Sequence, residues 1–184
     1  MDHDELKKEA QEVFARADLL YTTEEVNSAL DKMAEAINGK LFDENPLILC
    51  PMIGGIVITG QLLTRLTFPL EVDYIHATRY RRETTGKDLE WIRKPQSNIV
   101  GRTVLILDDI LDIGITLEQI MQACEQGGAR RIYTAVLVEK QINKSRTLEH
   151  ADFTGLTVPD RYVFGFGMDY RGCLRNCNGI YAVK

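Results

Sequence analysis

Three short, strongly apolar runs, PLILCP (46–51), TVLIL (103–107) and RIYTAVLV (131–138), constrain this chain more than any other feature. Each is too brief for a helix buried on all sides, and each lacks the strict alternation of a strand with one wet face. A strand covered on both faces fits them, and such strands belong to parallel sheets. Between them, MIGGIVITGQLLTRL reads as a glycine turn feeding a helix, LEVDYIHATRY (70–80) as a strand, and TLEQIMQACEQGG (116–128) as a helix closed by glycines. Strand, helix, strand, strand, helix, strand predicts an α/β fold, a parallel sheet flanked by helices.

Two helices are predicted ahead of this core. The first covers about 4–17. The second opens at TTEE, where Thr22 and Glu25 have capping-box spacing, carries Val26, Leu30, Met33 and Ile37 on one face, and ends at Gly39. The tail returns to strand-like RYVFGFGMDY (161–170) and GIYAVK (179–184). One domain over 1–184 is expected, with a core at about 40–145 and a small hood formed from the terminal segments, about 1–38 and 150–184.

With 27% charged residues and a formal charge of −5, the chain does not read as a nucleic-acid-coating protein, and an anionic ligand must be held by local features. No stretch has the length of a membrane span or the pattern of a signal peptide. Cys50, Cys124, Cys173 and Cys177 are therefore read as reduced thiols of a cytoplasmic protein, and CLRNC (173–177) lacks the second Cys/His pair a zinc site needs.

The apolar strand TVLIL runs straight into DDILDIGIT (108–116). Asp108 and Asp109 sit where α/β sheets bind ligands, beyond the carboxyl ends of the strands. Asp112, Gly114 and Thr116 lead into the next helix, whose first amides lack partners and whose dipole is positive at that end, so a phosphate dianion is the natural guest. Gly114 allows close backbone approach, and the Thr116 hydroxyl can donate. The strand-end carboxylates suit sugar hydroxyls or a divalent cation. A single aspartate here would be an ordinary acidic N-cap; three in five residues after VLIL describe a cradle for a phosphorylated ribose.

VLILDDILDIGITL resembles the phosphoribosyl-diphosphate (PRPP) signature of the type I phosphoribosyltransferases, and within them the hypoxanthine-guanine branch. The similarity extends from about Leu47 to the C-terminus. The resemblance implies that Asp108 and Asp109 hold the ribose hydroxyls, that Asp112 is the general base at purine N7, and that Asp112, Ile113, Gly114, Ile115 and Thr116 form the 5′-phosphate loop. Ile113 and Ile115 stand where many relatives carry Thr or Ser and Lys, which shifts the phosphate grip to backbone amides and Thr116. CPMIGG (50–55) maps onto a pyrophosphate loop with an unusual cis peptide; this chain has Ile53-Gly54 where relatives often have Lys-Gly.

By the same resemblance Lys140 donates to purine O6, which selects hypoxanthine and guanine over adenine. Apart from the resemblance, the neighbouring Glu139 is a potential charge partner for it. Tyr162 stacks on the purine and the Val163 backbone meets the base edge. Asp169, with Asp108 and Asp109, holds the metal, and Arg175 faces pyrophosphate. The polar stretch from Arg79 to about Gly101 is too long for an ordinary connection; the family carries a mobile lid there, of whose opening Ser-Tyr pair Arg79-Tyr80 keeps only the Tyr. The implied reaction is Mg2+-dependent transfer of 5-phosphoribosyl from PRPP to hypoxanthine or guanine, giving IMP or GMP and pyrophosphate, by a homo-oligomer (dimer or tetramer) that binds neither nucleic acid nor membrane. A xanthine-preferring sibling and a non-catalytic PRPP- or nucleotide-sensing regulator are the alternatives.

Overall fold

The computed structural model describes residues 2–79 and 89–184. Its elements run α1 (His3–Arg16), β1 (Asp18–Tyr21), α2 (Thr23–Leu41), β2 (Leu47–Met52), α3 (Ile56–Leu63), β3 (Glu71–Arg79), β4 (Leu89–Arg93), β5 (Thr103–Leu111), α4 (Ile115–Gln126), β6 (Arg131–Gln141), β7 (Phe153–Pro159), β8 (Val163–Phe164) and β9 (Ile180–Ala182). Six strands form the main sheet in the order β4-β3-β2-β5-β6-β7. β3, β2, β5, β6 and β7 are mutually parallel, and β4 is an antiparallel edge.

The two-residue period of the strands divides the core. Ile48, Leu105, Leu107, Ala135 and Leu137 pack with α2 and α3, whereas Leu47, Leu49, Val104, Ile106 and Val136 pack with Leu117, Ile120 and Cys124 of α4. Sheet faces covered on both sides account for the near-continuous apolar runs. β1, β9 and β8 form a second, three-stranded sheet from the two ends of the chain. This hood shares the α2–α3 core, because Val163, Phe166, Met168, Ile180 and Ala182 belong to that cluster. Tyr170 Oη reaches Glu9 Oε1 at 2.6 Å and ties α1 to the hood turn.

The capping box opens α2 as expected: Glu25 N–H donates to Thr22 Oγ1, and Thr22 N–H donates to Glu25 Oε2 at 2.8 Å. Gly39 does not end the helix. It runs on to Leu41, whose burial in the core repays one unfavourable helical glycine. β5 and β6 also outrun their apolar cores, because the pairs Asp108↔Val136 and Leu111↔Glu139 extend the ladder. Asp108 and Asp109 therefore lie within a strand and do not close it.

Three strands went unread. DLLY is only four residues, FTGLTVP is interrupted by glycine, and LEWIR is charged; each forms because a neighbouring edge needs a partner. β7 pairs with β6, so only the tail beyond it enters the hood sheet. β4 converts part of the long polar stretch into a hairpin with β3.

The loop after β4 is pinned by Asp73 of β3. Asp73 Oδ1 pairs with Arg93 Nη1 at 2.8 Å, and its Oδ2 accepts the Gln96 and Ser97 amides at 2.7 and 2.9 Å. Burial alone would raise this carboxyl, but the Ser97, Arg93, Tyr74 and Gln96 donors prevail and hold it down at about 2. A depressed pKa contributes stability that is complete above the ordinary Asp range and disappears as pH falls through the folded value. Asp73→Ala orphans several donors to a charge, each worth about 2 kcal/mol, so thermal melts at neutral pH should drop by several degrees. The gap between variant and parent should narrow as melts are repeated toward pH ~2.

Candidate active site

The carboxyl ends of β2, β5 and β6 bring the acidic stretch, the glycine loop and Lys140 together, and the hood turn closes over them. Two hollows result. One, of about 190 Å³, is lined by Ile110, Asp112, Lys140, Tyr162, Val163 and Met168. The other, of about 290 Å³, is lined by Met52, Ile53, Gly54, Asp108, Thr116 and Arg175 among others. Asp109, Ile110 and Asp169 line both, so they form the partition across which a bond between two bound groups would be made.

Local sequence explains each piece. Gly114 is the N-cap of α4 with φ +91°, a left-handed conformation that glycine adopts without strain. The peptide Met52–Ile53 is cis, in the loop where the resemblance implied one. Gly54 must be glycine for a reason the residue pattern did not disclose: a Cβ there would lie 2.3 Å from Asp109 Oδ2.

Electrostatics concentrate at the partition. Burial raises the Asp108 carboxyl well above its usual range, and the Asp109 charge pushes it further. Burial likewise raises Asp109, to about 6, despite the opposing attraction of Arg175. Arg175 is the cation of this knot. Its Nη2 lies 2.7 Å from Asp169 Oδ1 and its Nη1 3.8 Å from Asp109 Oδ2, while Nη1 also donates to the Gly167 carbonyl at 2.6 Å. Asp169 is steadied by the Gly172 amide at 2.6 Å.

In the smaller hollow, Lys140 Nζ lies 3.1 Å from Asp112 Oδ2, with the lysine side chain only 13% exposed. This corrects the expected partner. Glu139 is not paired with Lys140: its Oε1 accepts from Arg146 Nη1 at 2.8 Å and meets His150 Nδ1 at 2.9 Å. Successive residues of a strand point to opposite faces, so Glu139 and Lys140 have different neighbours. Tyr162 is half exposed at the hollow's rim and stands edge-on to Tyr170, ring centroids 5.5 Å apart. The Tyr162 carbonyl accepts the Val183 amide, and Val163 pairs with Ala182, which fixes this rim to β9. Ile110 and Met168 line the hollow without having been singled out, since an isolated apolar residue carries no chemical signal. Of the lid pair, Arg79 ends β3 and Tyr80 lies outside the described residues.

The phosphoribosyl transferase domain profile matches residues 17–171. The chain belongs to that family. It is 28% identical over 166 residues to the hypoxanthine-guanine-xanthine phosphoribosyltransferase of Tritrichomonas foetus, covering 90% of this chain and 91% of the relative. It is 26% identical over 167 residues to the hypoxanthine-guanine phosphoribosyltransferase of Bacillus subtilis, covering 90% and 92%. A solved hypoxanthine-guanine-xanthine phosphoribosyltransferase superposes with TM-score 0.82 at 28% identity, over 91% of this chain and 96% of that one. A hypoxanthine phosphoribosyltransferase from Staphylococcus aureus gives TM-score 0.85 at 24% identity, over 91% of each chain, and shares the fold.

The raised acid pair has a stability consequence of definite sign. A carboxyl whose folded pKa exceeds its unfolded value stabilises at low pH and loses that contribution as pH climbs through the folded value. Asp108→Asn removes the repulsion and retains an acceptor for the Asp109 amide, which lies 3.0 Å from Asp108 Oδ1. The variant should melt a few degrees above the parent near pH 8, and the advantage should vanish near pH 4.

Proposed function

We propose that this phosphoribosyltransferase carries out purine salvage, transferring 5-phosphoribosyl from PRPP to hypoxanthine or guanine with release of pyrophosphate. The Lys140–Asp112 pair carries the reading. A 6-oxopurine with its proton on N7 presents an acceptor, O6, beside a donor, N7–H. A lysine donor beside a carboxylate acceptor complements that edge. Adenine offers an amine at position 6, which cannot accept from Lys140. The family names of the relatives agree with this edge, and a preference for xanthine alone is not favoured.

The steps follow from the residues. Tyr162 covers the base, and the Val163 backbone holds its far edge. Asp108 and Asp109 bind the ribose hydroxyls, and the loop from Asp112 to Thr116, with Gly114 at its turn, receives the 5′-phosphate on the amides that open α4. Ile53 and Gly54 offer backbone to pyrophosphate, and Arg175 meets its charge. As the C1′ bond to pyrophosphate lengthens, the sugar gains positive charge, and the carboxylates of the partition stabilise it. The purine nitrogen attacks C1′, and Asp112 accepts the N7 proton.

Magnesium fits the donor set. Asp108 and Asp109, whose carboxyls burial keeps from ionising readily, offer the oxygen ligands the ion prefers, with Asp169 beside Asp109 in the partition. Among the described residues no cluster of three or more His, Cys, Asp or Glu could hold a metal by itself. Sharing with substrate phosphate oxygens is the habit of magnesium, whose chemistry here would be neutralisation of the leaving group.

Assembly and place are part of the proposal. Ile53, Ile56 and Val72 are exposed apolar side chains that a second copy of the chain would cover, in a dimer or tetramer. No helix among the described residues is long and apolar enough to cross a membrane. The four free cysteines suit a reducing cytoplasm.

The test is an assay of PRPP and Mg2+ with each purine base: IMP and GMP should form, and AMP should not. No nucleotide from hypoxanthine or guanine would refute the proposal. Asp112→Asn should lower kcat by at least about 100-fold while KM for PRPP changes far less; equal losses would remove the base assignment. Lys140→Ala should abolish 6-oxopurine use or relax discrimination against adenine, read as the ratio of kcat/KM values.

A further inference from the structure

A segment outside the acidic motif contacts the phosphate loop from below. Thr147 donates both its N–H, at 3.0 Å, and its hydroxyl, at 3.3 Å, to the Ile113 carbonyl. Leu148 lies under Gly114, so close that a Cβ on the glycine would fall 2.9 Å from the leucine Cβ. Just before them Arg146 turns inward, its side chain only 9% exposed. Its Nη1 donates to Glu139 Oε1 at 2.8 Å and to the Glu149 carbonyl at 3.0 Å, and its Nη2 donates to the Lys140 carbonyl. Its Nε is buried without a hydrogen-bond partner. An arginine sunk this deep with one donor unmet is no ordinary surface cation. Burial tends to raise the carboxyl of Glu139, yet donors from Arg146, His150 and Thr154 outweigh it and keep the acid ionised to lower pH.

A trans peptide is planar, with its C=O and N–H pointing to opposite sides. Fixing the Ile113 carbonyl toward Thr147 therefore turns the Gly114 N–H away from the segment, to where an anion at the mouth of α4 can use it. We infer that residues 146–148 are a brace that aims the Gly114 amide at the 5′-phosphate, and that Arg146 is the positioning residue that locks it. Because Arg146 also holds the Lys140 carbonyl, the brace joins the strand end that reads the purine to the loop that reads the phosphate. It also answers the departure at Ile113: a loop without a hydroxyl at that position gains rigidity from a neighbouring segment. This inference rests on the proposed assignment of the 5′-phosphate to the loop at Gly114.

Two variants and two readouts test it. Arg146→Met keeps the side-chain stem and removes the donors. Thr147→Val removes only the hydroxyl, at an exposed position where folding is not at risk. KM for PRPP should rise roughly tenfold in the first and about twofold to threefold in the second, with kcat changed less than KM. A general loss of packing would lower kcat and melting temperature without that split. Independently of turnover, the Gly114 amide resonance is followed by NMR while ribose 5-phosphate is added. It should shift in the wild type, and should need markedly higher ligand concentrations in Arg146→Met and a smaller increase in Thr147→Val. If the wild-type resonance ignores ribose 5-phosphate, the phosphate assignment fails and the brace with it. If it responds, and both variants respond at unchanged concentration, the brace is wrong while the proposed function stands.

Discussion

Two neighbouring carboxylates on β5, Asp109 buried and Asp108 half-buried, set the terms for the rest of this molecule. Burial makes both Asp108 and Asp109 resist ionisation; the Asp109 charge adds to this at Asp108, and the Asp169 charge adds to it at Asp109. The surroundings answer this one demand. Gly54 gives up a side chain so that the Asp109 carboxylate can fit. Arg175 comes from the hood to lie between Asp109 and Asp169. The hood is thus bound to the core by charge as well as by apolar packing. Its geometry and that of the acid pair are not independent, because moving the tail withdraws the cation.

That unrelieved charge also separates stability from function. An acid pair that lowers the stability of the empty protein is suited to a ligand that brings hydroxyls and a cation with it. Under the proposed function, free energy withheld in the free state is recovered when ribose and its cation bind. Lys140 and Asp112 follow a different logic. They satisfy each other at 3.1 Å, and in the proposed function the adjoining donor and acceptor of a purine edge replace that bond without leaving either charge unpaired.

How much of this was legible depended on whether the signal was local. The three apolar runs marked β2, β5 and β6 because burial on both faces leaves a compositional trace. Thr22 and Glu25 marked the start of α2 because capping is a contact over three residues. The acid cluster and Gly114 marked the turn into α4 for the same reason. Gly39 misled, since the propensity of one residue was outweighed by burial of Leu41 beyond it. β1, β4 and β7 are strands only because an edge was available to each. The partner of Lys140 was misjudged because the adjacent residue in the chain lies on the opposite face, whereas Asp112, 28 positions away, lies across the ladder. Arg146, Thr147 and Leu148 gave no sign at all: an arginine, a threonine and a leucine in a polar connection are unremarkable until the loop they support is beside them.

The amino-acid pattern by itself determined the layered α/β class, the strand that delivers the acids, and the helix start that can hold a phosphate. All three follow from periodicity, caps and turn residues, whose interactions span a few positions. Only the tertiary structure decided which carboxylates share a cation, which acid faces Lys140, and which segment holds the Ile113 carbonyl at the turn into α4. Those choices depend on strands meeting side by side and on the tail folding back over them, and charge and hydrogen bonding act through space, without regard to separation along the chain.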